Sequence, residues 1–493
     1  MSEASATGSA QHDASVAIRN GIRLALSLTA TWAVAIVLRL QLPRHLGPEQ
    51  FGQFNFCDAL TATVFSFLSF GAGTYIMKEV ALRPAHASDF FGGLVLVRTV
   101  LGLLAIALTA LFMVETGRSP ALIPVVIMFG GVCLVTGVNS VLSNVLQAAT
   151  KVRALASINV IAKLFWGGGL ILAIWFDAPL YAFALPNLVA ELLKLVVLVS
   201  AARAAVRLRL TVDLRATWAM IIASFPYFAH GIAVEVGTRI DVTLLEMLRP
   251  GPEVGWYSAA NSFAGLSLLL SPAIGWVIMP LLARAHERSL DEFYEILRVS
   301  MRAILLIAVP AALAIALGAD LWVSLAFGSQ FGPAETAIQV LAPMFLATYA
   351  AMLFSVALVI LKYSWKLTAI SFLSLALEVV LIPVCLHSTE SATPGSAATG
   401  AALGLMLSEL LTAAILATVI GRRTIDKPLV SAALKSAALA ALVFVLDRLL
   451  IGYGPVRLVP ELVVYLIGAF LVRAVTLEEV RALMRLARGR RPG

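Results

Sequence analysis

The stretch LGPEQFGQFNF, residues 46–56, has a counterpart in the second half of the chain, RPGPEVGWYSAANSF at residues 249–263. Gly47, Pro48, Glu49, Gly52 and Phe54 of the first answer to Gly251, Pro252, Glu253, Gly255 and Tyr257 of the second. Gly followed by Pro closes a short connection, and an aromatic just beyond it suits the edge of a membrane. The surroundings of the two copies decide the fold, because apolar runs flank both and recur along the whole chain. Of 493 residues, 60% are hydrophobic and only 13% charged, with a mean hydropathy of +0.94. A water-soluble surface needs far more charge than that. Apolar runs of about 20 residues cross roughly 30 Å of hydrocarbon as helices, since lipid offers no partner to backbone N–H and C=O groups. The expected fold is therefore an all-α polytopic membrane protein.

Fourteen spans are expected, at 22–40, 54–77, 91–114, 120–146, 155–176, 179–202, 217–241, 256–283, 300–319, 335–361, 367–387, 397–420, 430–450 and 458–475. Pro226 and Gly231 are positioned to bend the seventh, which has room to run on to Leu248. Orientation follows from the 36 Lys and Arg residues, which gather on the cytosolic side of bacterial membranes. With the N-terminus inside, the inner segments hold Arg19 and Arg23, Lys78 and Arg83, Lys151 and Arg153, and Arg203 to Arg215. They continue with Arg284 to Arg302, Lys362 and Lys366, Arg422 to Lys427, and Arg481 to Arg491. The outer loops hold only Arg44, Arg118, Arg249, Arg448 and Arg457. Both termini are thus expected in the cytosol, at the bacterial inner membrane.

The net charge of +8 is mostly this bias plus a basic tail, so it is no sign of nucleic-acid binding. Residues 1–21 read as a polar cytosolic tail without the charged lead-in of a signal peptide. Residues 476–493 (TLEEVRALMRLARGRR and beyond) open with a capping box and alternate apolar and Arg positions, as an amphipathic helix on an anionic leaflet would. Cys57, Cys133 and Cys385 are widely separated in apolar spans and read as packing residues, with no disulfide or metal framework. No cofactor is expected.

The two Gly-Pro-Glu turns fall in the outer loops after spans 1 and 7, six spans apart on the same side. An even offset means parallel repeats. The expected organisation is a first six-helix bundle (22–202), a cytosolic linker (203–216), a second bundle (217–420) and two added helices (430–475). RHLGPEQFGQFNF, FGAGTYIMKEVA (70–81), TRIDVTLLEMLRPGPEVGWYSAANSF (238–263) and GAALGLMLSE (400–409) resemble the bacterial Wzx-type polysaccharide flippases. These belong to the multidrug and oligosaccharidyl-lipid exporter superfamily, and the resemblance runs diffusely from about residue 20 to 420. It implies two six-helix bundles around a central cavity, alternating access, and a substrate, oligosaccharide on undecaprenyl diphosphate, carried to the outer leaflet. A polysaccharide polymerase and assembly proteins are the partners it implies. Where many relatives carry Asn, about five residues before Ile382-Pro383, this chain has Glu378.

Charges in hydrocarbon cost roughly 2.5–3.5 kcal/mol each at a helix centre, so each needs a reason. Lys163, Glu191, Lys194, Glu378, Glu409 and His230 fall near the expected midplane; Arg39, Asp58, Glu235, Arg239 and Asp241 fall nearer the outer side. Glu191 with Lys194, and Glu235 with Arg239, have the spacing to neutralise each other on one helix. His230 and Glu409 have plausible structural roles as hydrogen-bonded or interhelical contacts. Arg39 and Lys163 have no carboxylate at helical spacing in their own spans, and a diphosphate offers what Arg and Lys bind best. Arg39, Lys163 and Arg239 are accordingly the candidates for substrate binding. Asp58, Asp241 and Glu378 are the candidates for coupling to H+ or Na+, which a carboxylate shielded from water can take up and release.

Three rival functions compete with this reading. A drug antiporter of the same superfamily would want an acidic cavity, whereas Lys163 is among the central charges. A lipid II flippase shares the diphosphate and looks almost the same in sequence. A membrane glycosyltransferase or polymerase needs an acidic or metal-binding outer loop; HSTESATPGSA (387–397) is among the longest here, and these loops show no paired carboxylates, His cluster or phosphate loop. The chain is not expected to be an enzyme.

Overall fold

The structure, a computed structural model, describes residues 41–82, 87–149, 152–270 and 274–472. The expected first span (22–40, with Arg39) and the tail 476–493 lie outside the described residues. No β-strand occurs among those described. Residues 41–66 form α1, followed by α2 (Ala72–Leu82), α3 (Ala87–Glu115), α4 (Ile123–Ala148), α5 (Val152–Trp175), α6 (Leu185–Val206) and α7 (Leu214–Leu248). Then come α8 (Pro252–Ala264), α9 (Met279–Arg288), α10 (Leu290–Leu317), α11 (Ala319–Ala326), α12 (Ala334–Leu341) and α13 (Met344–Ile360). The last four are α14 (Ser364–Ser388), α15 (Ser396–Ile420), α16 (Lys427–Leu450) and α17 (Leu458–Leu471).

Among the described residues 10 helical stretches are long and apolar enough to cross a membrane, or 11 if the two arms of α7 count as one span. Three expected spans are not straight helices. The one expected at 54–77 breaks after Ser66 into a short 3-10 turn, Phe67–Ser69, and then Phe70 and Gly71 both take left-handed φ, 51° and 61°. The one expected at 256–283 leaves α-helix at Ala264 for a 3-10 turn (Gly265–Leu270) and a π-turn (Ile274–Ile278) before α9. α7 bends by 70° between Phe225 and Tyr227. The cause there is Pro226, which has no N–H to donate to the helix ladder.

Contacts divide the chain into two compact units, Met1–His45 with Cys57–Ile232, and Leu46–Phe56 with Ala233–Gly493. In the first, Ile76 and Val80 of α2 pack with Phe90 and Leu94 of α3, Leu142 and Leu146 of α4, and Leu198 of α6. Lipid tails are as apolar as these side chains, so close packing and hydrogen bonds, more than escape from water, hold such a core. Several polar groups inside this unit find partners, although Arg98 Nε and Asn139 Oδ1 have none. Glu191 pairs with Lys194 at 3.5 Å and accepts from Asn139 Nδ2 at 2.7 Å. Arg98, buried in α3, donates to the carbonyls of Gly137 at 2.7 Å and Ser69 at 2.5 Å. The second bond caps the last 3-10 turn before the Phe70–Gly71 break. A Cβ on Gly71 would fall 2.4 Å from Phe228 N, so this break lies backbone to backbone against the residues just past the α7 bend.

In the second unit, buried residues of α9, α10 and α13 to α16 form one core that includes Phe293, Leu297, Leu353, Ile370 and Leu416. α14 and α15 run antiparallel in closest contact. A Cβ on Gly404 would lie 2.6 Å from Ile382 Cα, and one on Gly400 would lie 2.9 Å from Leu386 Cα. Glycines four apart let two backbones touch in this way. α16 and α17 join the unit through Leu439, Val443 and Tyr465 and through Arg457. That guanidinium is 5% exposed and donates to Asp447 at 2.8 Å, Asp320 at 2.8 Å and the carbonyl of Leu317 at 3.0 Å.

The two quoted turns also meet in this unit. Gly47 and Gly251 both adopt left-handed φ, 71° and 109°, immediately before their prolines. A Cβ on Gly52 would sit 2.7 Å from Gly255 N, and one on Gly255 would sit 1.9 Å from the carbonyl oxygen of Pro48. Phe51 packs edge-on against Phe331 at 6.1 Å, and Trp256 donates to the carbonyl of Gln330 at 3.0 Å. Glu253 accepts from Gly395 N and Ala398 N, both at 2.8 Å, and so caps the positive end of α15.

Candidate functional site

Four helices of the second unit converge on a group of acids. α14 and α15 cross with Ile382 opposite Gly404 and Leu386 opposite Gly400, so the same antiparallel register brings Glu378 alongside Ser408 and Glu409. Glu378 is 5% exposed, and its Oε1 has no hydrogen-bond partner. Its Oε2 lies against α7, 3.3 Å from where a Cβ on Gly237 would be. Any side chain larger than hydrogen at that position would crowd the carboxylate.

One turn along α7 from Gly237 stands Asp241, 2% exposed. Its Oδ2 accepts from the Tyr257 hydroxyl at 2.6 Å and from Asn261 Nδ2 at 3.0 Å. Tyr257 and Asn261 are one turn apart on α8, which places both donors on the same face. Asp241 and Glu409 both act electrostatically on Glu378, and half-buried Arg239 acts on Asp241. Arg239 is thus a cation beside Asp241, while Asp241 and Glu409 are the charged groups that act on Glu378.

The remaining sequence candidates lie elsewhere. Asp58 is half-buried on α1. Lys163 is exposed on α5, its Nζ 5.0 Å from the centre of the Trp166 ring. Arg39 lies outside the described residues. Of the six candidates, Asp241, Glu378 and Arg239 are brought together. Tyr257 and Asn261 went unrecognised beside Asp241 although both lie in the quoted stretch 249–263; their spacing of four, facing an acid in the preceding helix, was the available signal. Cys57 and Cys385 are buried, Cys133 is half-buried, and none of the three is joined in a disulfide.

Comparison with known proteins gives a family and a fold. The family model described as "Polysaccharide biosynthesis protein" matches residues 17–286. The chain is similar to the solved structure of the lipid II flippase MurJ in an inward closed conformation. The TM-score is 0.72 at 12% identity, over 91% of this chain and 98% of that one. It is similar to an inward-facing multidrug resistance transporter of the MATE family, MOP superfamily, with TM-score 0.58 at 12% identity over 78% of this chain and 98% of the other. A MATE transporter of Vibrio cholerae, VcmN, aligns with TM-score 0.54 at 13% identity over 81% of this chain and 96% of that one. At such identities the likeness is one of fold. No curated protein matches the chain by sequence.

Proposed function

The chain belongs to the polysaccharide biosynthesis protein family and has the multi-pass fold of MOP-superfamily transporters, and from that premise we propose that it flips undecaprenyl-diphosphate-linked oligosaccharide from the cytosolic to the periplasmic leaflet. The family match across residues 17–286 is the observation that carries this reading. In it the protein sits in the bacterial inner membrane with both termini cytosolic, feeds a polysaccharide polymerase, and binds no nucleic acid. The acids at Asp241 and Glu378 take up H+ or Na+ in the coupling step, with Asp58 as the candidate in the first unit. Tyr257 and Asn261 orient Asp241 for it. Arg39, Lys163 and Arg239 are the cations assigned to the diphosphate.

Fourteen spans arranged as two parallel repeats remain part of the proposal. Two side-chain contacts at matching places support it. His45, two residues before the first Gly-Pro-Glu, pairs with Asp177 at 3.3 Å. Arg249, two residues before the second, pairs with Glu390. Each acid lies just after the penultimate expected span of its repeat.

The likeness to MurJ favours one second reading, transport of lipid II, and the test separates the two. Proteoliposomes holding the purified protein receive undecaprenyl-diphosphate oligosaccharide in one arm and lipid II in the other, with flipping followed by glycan accessibility. Faster movement of the oligosaccharide is expected; movement of lipid II alone replaces the first reading with the second. Arg39→Ala and Lys163→Ala are each expected to weaken binding of the lipid-diphosphate sugar about ten- to a hundredfold, the value of a charge-assisted hydrogen bond, with melting temperature unchanged. Normal binding with a large drop in melting temperature would assign these residues to structure.

A further inference from the structure

At the start of α16 lies a cationic groove that plays no part in the proposed transport. Ile425, Lys427, Val430, Ser431, Leu434 and Lys435 line a space of about 480 Å³. Lys427, Ser431 and Lys435 follow one another at intervals of four and therefore share one helix face. Ile425, Val430 and Leu434 border it at 52%, 43% and 66% exposure. Asp426 also borders the groove, but its carboxylate is already engaged, accepting from Leu429 N at 2.8 Å and pairing with Arg298 at 3.3 Å. Among the described residues neither lysine has an ion-pair partner.

The two cations are placed to act together. Lys435 is two turns inside a helix apolar enough to cross the membrane, about 12 Å along the axis from Lys427. Helical side chains lean toward the N-terminus, and a lysine in hydrocarbon extends its ammonium toward the polar boundary. Both motions bring Lys435 back over Ser431 toward Lys427, at the end of the helix where the macrodipole is positive. The charge rule assigns this end to the cytosolic leaflet, where anionic lipids face basic side chains.

We propose that this groove binds an anionic phospholipid as a resident ligand. Its phosphodiester lies between Lys427 and Lys435, with Ser431 Oγ donating, and one acyl chain runs along Val430 and Leu434. The site depends on charge and an apolar wall at α16 alone, so it stands whichever lipid-linked sugar the protein carries.

The experiment is native mass spectrometry of the full-length protein in detergent, offered phosphatidylglycerol or phosphatidylcholine. The wild type is expected to retain one phosphatidylglycerol and to hold phosphatidylcholine weakly. Lys427→Gln with Lys435→Gln is expected to lower phosphatidylglycerol retention roughly thirtyfold, from about one surface charge's attraction per lysine, while phosphatidylcholine is unaffected. A readout on the wild type needs no variant: about 1 M salt, with a Debye length near 3 Å, must strip the bound lipid. Equal retention of the two lipids, retention that ignores salt, or undiminished binding by a folded double variant overturns the proposal. So does preferential binding of undecaprenyl phosphate over phosphatidylglycerol, which would make the groove part of the substrate path.

Discussion

Replacing Gly255 by Ala tests the contact between the two turns directly. The added Cβ would stand 1.9 Å from the Pro48 carbonyl oxygen and 2.6 Å from its carbon, where ordinary contact begins near 3.4 Å. Pro48 would have to withdraw by roughly 1.5 Å, and a backbone carbonyl cannot swing aside as the tip of a side chain does. Overpacking commonly costs 1–3 kcal/mol, and a clash with backbone belongs at the upper end, so a loss of about 3 kcal/mol is expected. Gly231 is the matched control. It lies in the same unbroken arm of α7 as Tyr227, has no left-handed φ and would meet nothing within 4 Å. Ala there is expected to stabilise by about 0.5–1 kcal/mol, because glycine loses more freedom on folding. Reversible unfolding in mixed micelles, followed by tryptophan fluorescence, should separate the two variants by about 4 kcal/mol. Equal stability of Gly255→Ala and Gly231→Ala would refute the conclusion that these turns meet through backbone.

Glu378→Gln is expected to abolish ion-driven transport while holding stability within about 1 kcal/mol, since the Oε1 it replaces has no hydrogen-bond partner to lose; full transport by this variant in the presence of an ion gradient would remove Glu378 from coupling. Arg457→Ala strands Asp447, 8% exposed, and removes the 2.8 Å pair with Asp320, and is expected to cost about 3–5 kcal/mol. Unchanged unfolding of that variant would show that other contacts hold α16 and α17 in place. For topology, cysteines at Ser119 and Ser388 should react with an impermeant maleimide on intact cells and one at Ser289 should not; labelling at Ser289 would break the fourteen-span scheme.

Much of the fold was legible because hydrocarbon punishes ambiguity. Long apolar runs mark helices, Pro226 marks a bend, and Gly-Pro marks a turn whether or not any tertiary contact is known. The same economy singled out Asp241 and Glu378, since a carboxylate at membrane depth needs a reason, and the two share one site. What stayed hidden depends on partners remote in sequence. Arg457 counted as an outer-loop cation, yet it is buried against a carbonyl 140 residues away. Arg98 finds carbonyls and, among the described residues, no carboxylate, a match that charge spacing cannot reveal. The breaks at Phe70 and after Ala264 were missed although Gly71 and Gly73 follow the first and Gly265 and Pro272 follow the second, because the apolar content of each run outweighed those breakers.

The glycine seam between α14 and α15 bears on how the acids behave when the protein changes shape. With backbone against backbone at Gly400 and Gly404, no layer of side chains can shear or re-rotamerise to absorb a displacement. The two helices form a joint without slack. A push on either one is delivered undiminished to the other, so Glu378 and Glu409 travel as a fixed pair. Asp241, on α7, is the acid of the group that lies outside this joint, so a change in its distance from Glu378 requires α7 to move relative to the pair.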